Sequence, residues 1–323
     1  MNRREFLAAT LPAALAVAAG PFPARPAGLS STLRIQVGAP PGGGTDLVAR
    51  ALAQGMAAEL KRNLVVENKP GAGGNIAAGS VSQAVGDPNT LLVAYTSFAI
   101  NPSIQTDLPY DPLASFTPLS LTATSPLMLV CRPDLPVKNT AELMAYVRQR
   151  PKQFSIGGAG LGSASQMAGE MLKARARLDV VSVPYKGAAP AVQDLLGGQI
   201  QLLMSDMATV QPLLRGGRLK ALGVSTPEPL AAYPGVEPIA RVLPGFDYRT
   251  WFGLFAPRDV AAAQADRLSE AAQACTRMPE IAQRLEHHGL DAVGSGRAEF
   301  EVFIRAEIKR WRVVAEATGM RLG

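Results

Sequence analysis

The sequence predicts an α/β protein of two lobes, each a sheet flanked by helices, with the chain crossing between the lobes twice. Three observations point there. Apolar runs that read as strands alternate with segments of helical periodicity along most of the chain. Glycine-rich turns stand where strand runs give way to helices. The chain has 323 residues, 47% of them apolar, which exceeds one minimal domain and suffices for two lobes of about 150 residues each.

In chain order, the N-terminus reads as an export leader. Arg3 and Arg4 precede Phe6 and Leu7, and an apolar run extends from Leu7 to Ala19. A basic start, a short apolar stretch and small residues beyond it define a secretory signal. The Arg-Arg-x-Phe-Leu spelling points to the twin-arginine route. Cleavage is expected between Ala19 and Gly28, which makes residues 1–27 the leader and the periplasm the destination. The alternatives are a short membrane anchor or an unstructured tail. No cysteine stands just past the apolar run, so no lipoprotein anchor is expected.

The strands are expected at Leu33–Val37, Leu64–Val66, Leu91–Ala94, Leu127–Cys131, Phe154–Ile156, Val180–Val183, Gln201–Met204 and Leu219–Val224. Several are unbroken apolar runs, as strands buried on both faces require. Helical spacing joins Leu47, Val48, Ala51, Leu52, Met56 and Leu60, then Met167, Met171 and Leu172, then Val192, Leu195 and Leu196. Strand–helix–strand alternation of this kind predicts parallel sheets. Phe300, Phe303, Ile304, Ile308, Trp311 and Ala315 mark a C-terminal helix that closes the first lobe. Proline-rich stretches around residues 109–126 and 227–244 read as boundary segments, with crossings near residues 126 and 248.

Composition excludes several function classes. The net charge is +6, and a leader of residues 1–27 would take three positive charges and one negative away with it. The remaining Lys and Arg residues are scattered, with no basic stripe and no interleaved aromatics, so nucleic acid is not an expected partner. Beyond the N-terminus no apolar run reaches the length of a membrane span. The two histidines, His287 and His288, are adjacent and precede Gly289, as at a capped helix end. Cys131 and Cys275 are expected to be buried free thiols, although export would permit a disulfide. No transition-metal site and no cofactor are expected, and neither a nucleophile elbow nor a phosphate loop occurs.

Four glycine-rich turns each open a helix: Pro40–Asp46, Asn68–Asn75, Gly157–Ser163 and Tyr185–Ala188. The first turn of a helix presents unpaired N–H groups and the positive end of the helix dipole. Glycine lets a ligand approach that backbone closely. A carboxylate can therefore be held there without a dedicated Arg or Lys. The turns at 40–46 and 157–163 directly follow strands and fall in different lobes, so they are the principal ligand candidates, although many such turns merely connect.

The same loops carry a family likeness. Pro41-Gly42-Gly43-Gly44-Thr45-Asp46, Val65–Ile76, Ala99–Ser103, Tyr110-Asp111-Pro112, Phe116-Thr117-Pro118, Gly160-x-Gly162-Ser163, Ala168-Gly169-Glu170, Val183–Gly187 and Trp251–Pro257 occur in one order across nearly the whole chain. In these the sequence resembles the tripartite tricarboxylate transporter substrate-binding receptors, the Bug proteins. The resemblance implies a type II periplasmic-binding-protein-like fold, with residues 28–126 and 249–323 as one lobe and 127–248 as the other. It implies a solute-binding receptor that closes on a small organic carboxylate and serves a transporter's membrane components or a sensor, and not an enzyme; a monomer is expected, because closure needs free lobes. Carried onto this chain, the ligand contacts would be Gly43, Thr45, Asp46, Ser97, Gly162, Ser163 and Ser165, with Gln166 at a position where the family differs. Tyr185, Lys186 and Asp206 are further candidates. Phe98, bulkier than the family's small loop residues, either packs on an apolar ligand or belongs to the core. The competing reading is an exported enzyme acting on a carboxylate, with Asp46 or Asp206 as its general base.

Overall fold

A computed structural model describes residues 32–158, 160 and 162–321. The expected leader, residues 1–27, lies outside the described residues, as do Ala159 and Leu161 of the third glycine turn.

The chain opens with β1 (Thr32–Val37), α1 (Gly44–Leu60), β2 (Asn63–Asn68), α2 (Asn75–Ser82), β3 (Thr90–Tyr95) and α3 (Ser97–Ile104). Strand β4 (Phe116–Cys131) leads to α4 (Thr140–Arg148), β5 (Ser155–Gly158), α5 (Ala164–Ala176), β6 (Val181–Pro184) and α6 (Ala188–Gly197). Next come β7 (Leu202–Asp206), α7 (Met207–Arg215), β8 (Lys220–Val224) and β9 (Arg249–Pro257). The chain ends with α8 (Ala262–Arg277), α9 (Pro279–His287), β10 (Asp291–Ala292) and α10 (Arg297–Thr318). Each of the four glycine turns opens a helix, and each of the eight strands read from the sequence is present.

The strands run in the order β2-β1-β3-β9-β4-β7-β5-β6, with β8 and β10 also pairing with β4. The two flanks are parallel, β2-β1-β3 on one side and β7-β5-β6 on the other. The expectation of purely parallel sheets is corrected at the centre, where β9 is antiparallel to both β3 and β4 and β7 is antiparallel to β4. Strand β4 joins the flanks. Its residues Phe116–Pro126 pair with β9, whereas Leu127–Cys131 pair with β7 and β8.

The first half of β4 reads as a proline-rich boundary in the sequence, yet it is strand. Register shifts between Pro118 and Ser120 and between Leu121 and Ala123 break the ladder there. Proline is tolerated in a strand where the pairing is irregular. The polar residues that obscure this stretch are buried with partners. Ser120 Oγ donates to the Ser295 carbonyl, Thr122 Oγ1 to that of Phe252 and Ser125 Oγ to that of Gly289. Satisfied in this way, hydroxyls cost little in a core.

Three apolar clusters hold the structure. One lies between β1, β3, α1, α8 and α9, with Leu33, Ile35, Leu52, Met56, Leu268 and Ile281 buried in it. A second packs α6 and α7 on β4, β7 and β8, around Met128, Val130, Leu195, Leu203 and Val210. The largest runs through both flanks, from Phe98, Phe255 and Phe300 to Leu127, Met167, Leu202 and Tyr248. The C-terminal helix α10 packs on α3, on β4 and on α5, so its apolar stripe is shared between both flanks.

Candidate functional site

The first glycine turn is held from within. Gly42 takes φ +88°, a value that L side chains adopt only with strain, and Gly43 follows as the N-cap of α1. The Gly42 N–H donates to Asp46 Oδ2 at 3.0 Å, and the same oxygen accepts from Arg50 Nε at 2.8 Å. Asp46 Oδ1 accepts from Asn68 Nδ2 at 2.9 Å, and that amide also donates to the Ala39 carbonyl at 3.0 Å. Asp46 therefore ties the first turn to the second. Burial alone would raise its pKa, but the bonds from Arg50, Gly42 and Asn68 outweigh burial and hold the carboxyl below its ordinary range. A carboxylate so engaged is a poor general base.

The third glycine turn repeats this design in the other flank. Gly162 has φ +68°, and its N–H donates to Gln166 Oε1 at 2.8 Å. Ser163 is the N-cap of α5 and accepts from the Gln166 N–H at 3.2 Å. Gly42-Gly43-Gly44-Thr45-Asp46 thus matches Gly162-Ser163-Ala164-Ser165-Gln166 position by position. In each, a left-handed glycine is followed by an N-cap, the helix starts two residues on, and a side chain four residues on accepts the glycine N–H. Thr45 and Ser165 are equivalent, and both are buried. The difference is charge. Asp46 stands in the first turn of α1, whereas the first turn of α5 holds no acidic residue, so the positive end of α5 is not offset locally.

A short path joins the two turns. A Cβ at Gly44 would lie 3.2 Å from Phe252 Cζ, so α1 starts directly on that ring. Phe252 pairs across the sheet with Tyr95, two residues before Ser97. The Ser97 hydroxyl, at the start of α3, donates to the Gly162 carbonyl at 3.0 Å. Beside this path, Gly289 packs on Met207, the first residue of α7.

The remaining expected residues have other partners. Phe98 is corrected to the core. Its ring lies 5.5 Å from Tyr110, 5.2 Å from Phe116 and 4.9 Å from Phe255, and the residue is 4% exposed, so it packs chiefly on other rings of the core. Tyr185 donates to Asp194 Oδ2 at 2.8 Å, and burial first and then Asp194 push its phenol up to about 12. Its ring lies against Gly157 at the end of β5. Asp206 caps α7, accepting from the Thr209 N–H at 3.0 Å and from its hydroxyl at 2.9 Å. Lys186 is exposed in the turn before α6. Sequence reasoning passed over Thr96, whose hydroxyl accepts from the Trp251 N–H at 2.9 Å, and underweighted Asn68. Asn68 was legible as a polar residue in a glycine turn, whereas nothing local marks Thr96.

Among the described residues no cluster of His, Cys, Asp and Glu could hold a metal ion, and no helix is long and apolar enough to cross a membrane. Residues 48–320 match the family described as "Tripartite tricarboxylate transporter family receptor". The chain belongs to this family. A curated relative is Protein BugT of Bordetella pertussis, 31% identical over 331 residues that cover 100% of each chain. A solved R. palustris protein with adipate has a TM-score of 0.83 and 29% identity, covering 90% of this chain and 98% of that one. MatC from Rhodopseudomonas palustris with bound malate has a TM-score of 0.78 and 31% identity, covering 88% and 98%. The receptor's fold is the two-lobed periplasmic-binding fold of this family.

Proposed function

We propose that this receptor works in the periplasm, as a monomer, capturing one small organic carboxylate between its lobes and presenting it to a transporter's membrane components or to a sensor. The lobes would be residues 28–126 with 249–323, and 127–248. Crossings at Pro126–Leu127 and Tyr248–Arg249 fit the point where β4 exchanges β9 for β7 and β8. Residues 1–27 would be the export leader.

One observation carries this reading: two helix starts of matching local design, one in each flank of the sheet, linked through Ser97 and Gly162. The N–H groups around Gly43, Thr45, Gly162, Ser163 and Ser165 would hold the carboxylate, with Asp46 and Gln166 fixing the turns. The relatives solved with adipate and with malate support a carboxylate as the ligand class. The bound state of Asp46 argues against its use in acid–base chemistry, which favours a receptor over an enzyme.

The test is a thermal-shift screen over mono-, di- and tricarboxylates, adipate and malate included. A ligand at 100 times its Kd stabilises the folded state by about 2.7 kcal/mol. A rise with at least one acid is expected. A folded sample that responds to none of them would overturn the reading.

A further inference from the structure

We propose that Glu307 is a positioning residue for lobe closure, acting through Trp251 and Thr96 on the contact between Ser97 and Gly162. The meaning of closure rests on the receptor reading above; the contacts themselves do not. Glu307 lies on α10 and is 6% exposed. Its Oε2 accepts from both tryptophans of the chain, Trp251 Nε1 at 3.0 Å and Trp311 Nε1 at 2.8 Å. Its Oε1 accepts from Arg310 Nη1 at 3.0 Å.

Each of these partners leads to a crossing. Trp251 stands two residues past Arg249, which pairs with Pro126 at the end of the β4–β9 ladder. The Trp251 backbone N–H donates to Thr96 Oγ1, and the next residue, Ser97, reaches Gly162 in the other lobe. Trp311 and Arg310 address the second crossing. The Tyr248 ring lies 5.6 Å from the Trp311 ring, with the Arg310 guanidinium 4.7 Å above it. The Tyr248 carbonyl accepts from Ser225 Oγ, which itself accepts from the Leu127 N–H of the first crossing at 2.9 Å. One buried carboxylate thus sets two indoles and, through them, both crossings and the Ser97 end of the path between the turns. A buried carboxyl group often stabilises a core no better than apolar packing would. What it adds is fixed geometry, because two rings must share one oxygen.

The experiment is hydrogen–deuterium exchange by mass spectrometry on the full chain. Glu307→Gln keeps the side chain's shape but replaces one acceptor with a donor that faces other donors. Exchange in residues 95–98 and 158–165 is expected to rise roughly fivefold, with β1 unchanged. Leu285→Ala, in the core behind α1, serves as a control for general loss of stability. If exchange at 158–165 is unchanged, or rises only in proportion to β1 as in the control, the proposal fails. It also fails if Glu307→Gln adds a further rise at 158–165 on top of Ser97→Ala, since both changes should act on one contact. Trp251→Phe keeps an aromatic side chain, though a smaller one, and removes the indole N–H; it is expected to give the same selective rise should Glu307→Gln not fold. No arm uses a ligand, so a failed carboxylate screen leaves this test intact.

Discussion

The Ser97 hydroxyl and the Gly162 carbonyl meet at 3.0 Å across 65 positions of sequence, and both residues are buried. Ser97→Ala removes the donor and strands a carbonyl away from water. The expected cost is about 1–3 kcal/mol, read as a lower urea midpoint with an unchanged slope. An unchanged midpoint would mean that the bond contributes nothing.

Asp46→Asn should destabilise by about 1–3 kcal/mol at neutral pH, through the lost acceptor for Gly42 or Asn68. The exposed Arg50 adds little to this, because solvent screens it. The folded-state pKa of Asp46 lies below the unfolded 3.8, so its contribution is fully present above 3.8 and is lost as pH falls through the folded value. The gap between wild type and variant should therefore stay constant from neutral pH down to about 4 and narrow below it. Urea titrations across that range check the sign; a gap that closes above pH 4 would contradict it.

Adjacent glycines of the first turn should respond differently. Gly42→Ala forces a side chain into φ +88°, at a cost of roughly 1–2 kcal/mol. Gly162→Ala, at φ +68°, should cost a similar amount. Gly43 has φ −86°, and a Cβ there meets nothing nearer than the Pro40 carbonyl at 3.9 Å. Gly43→Ala should then stay within about 0.5 kcal/mol of wild type. Thermal melts of the three variants separate strain from simple loss of glycine.

Gly289→Ala probes the seam beside the path. Its φ is +70°, and a Cβ would come within 2.7 Å of Met207 Cβ and 3.1 Å of the Met207 carbonyl carbon. Backbone on the far side cannot yield as a flexible side chain would. The variant should lose about 1–3 kcal/mol, and its radius of gyration by small-angle scattering should increase. An unchanged radius would show that the seam tolerates the methyl group.

Both thiols should be silent in the native protein. Cys131 and Cys275 are free and fully buried, and burial pushes each up to about 11. A thiol reagent at mildly alkaline pH should label neither until guanidinium unfolds the chain, and then both. Labelling of either thiol before unfolding would show that its cover opens.

How much could be read in advance varies by residue. The glycine turns were legible because a glycine cluster between an apolar run and a helical stripe has few other uses. Gln166 was read as a ligand contact at a position where the family differs. Its equivalence to Asp46 emerges from the hydrogen bonds, since an amide and a carboxylate share no sequence signature. Phe98 could not be assigned, because an aromatic beside a site reads the same whether it meets a ligand or Tyr110, Phe116 and Phe255.

By itself, the order of residues determined the strand–helix alternation, the helix starts that suit an anion and the family. These depend on neighbours within a few positions, where backbone preference and side-chain periodicity act directly. Only the tertiary structure decided the antiparallel centre, the strand hidden behind Pro118 and Pro126, the Ser97–Gly162 bond and the two indoles on Glu307. Each of these depends on groups far apart in sequence, such as Ser97 with Gly162, 65 positions on, or Trp251 with Glu307, 56 positions on, and no local preference encodes such a partner.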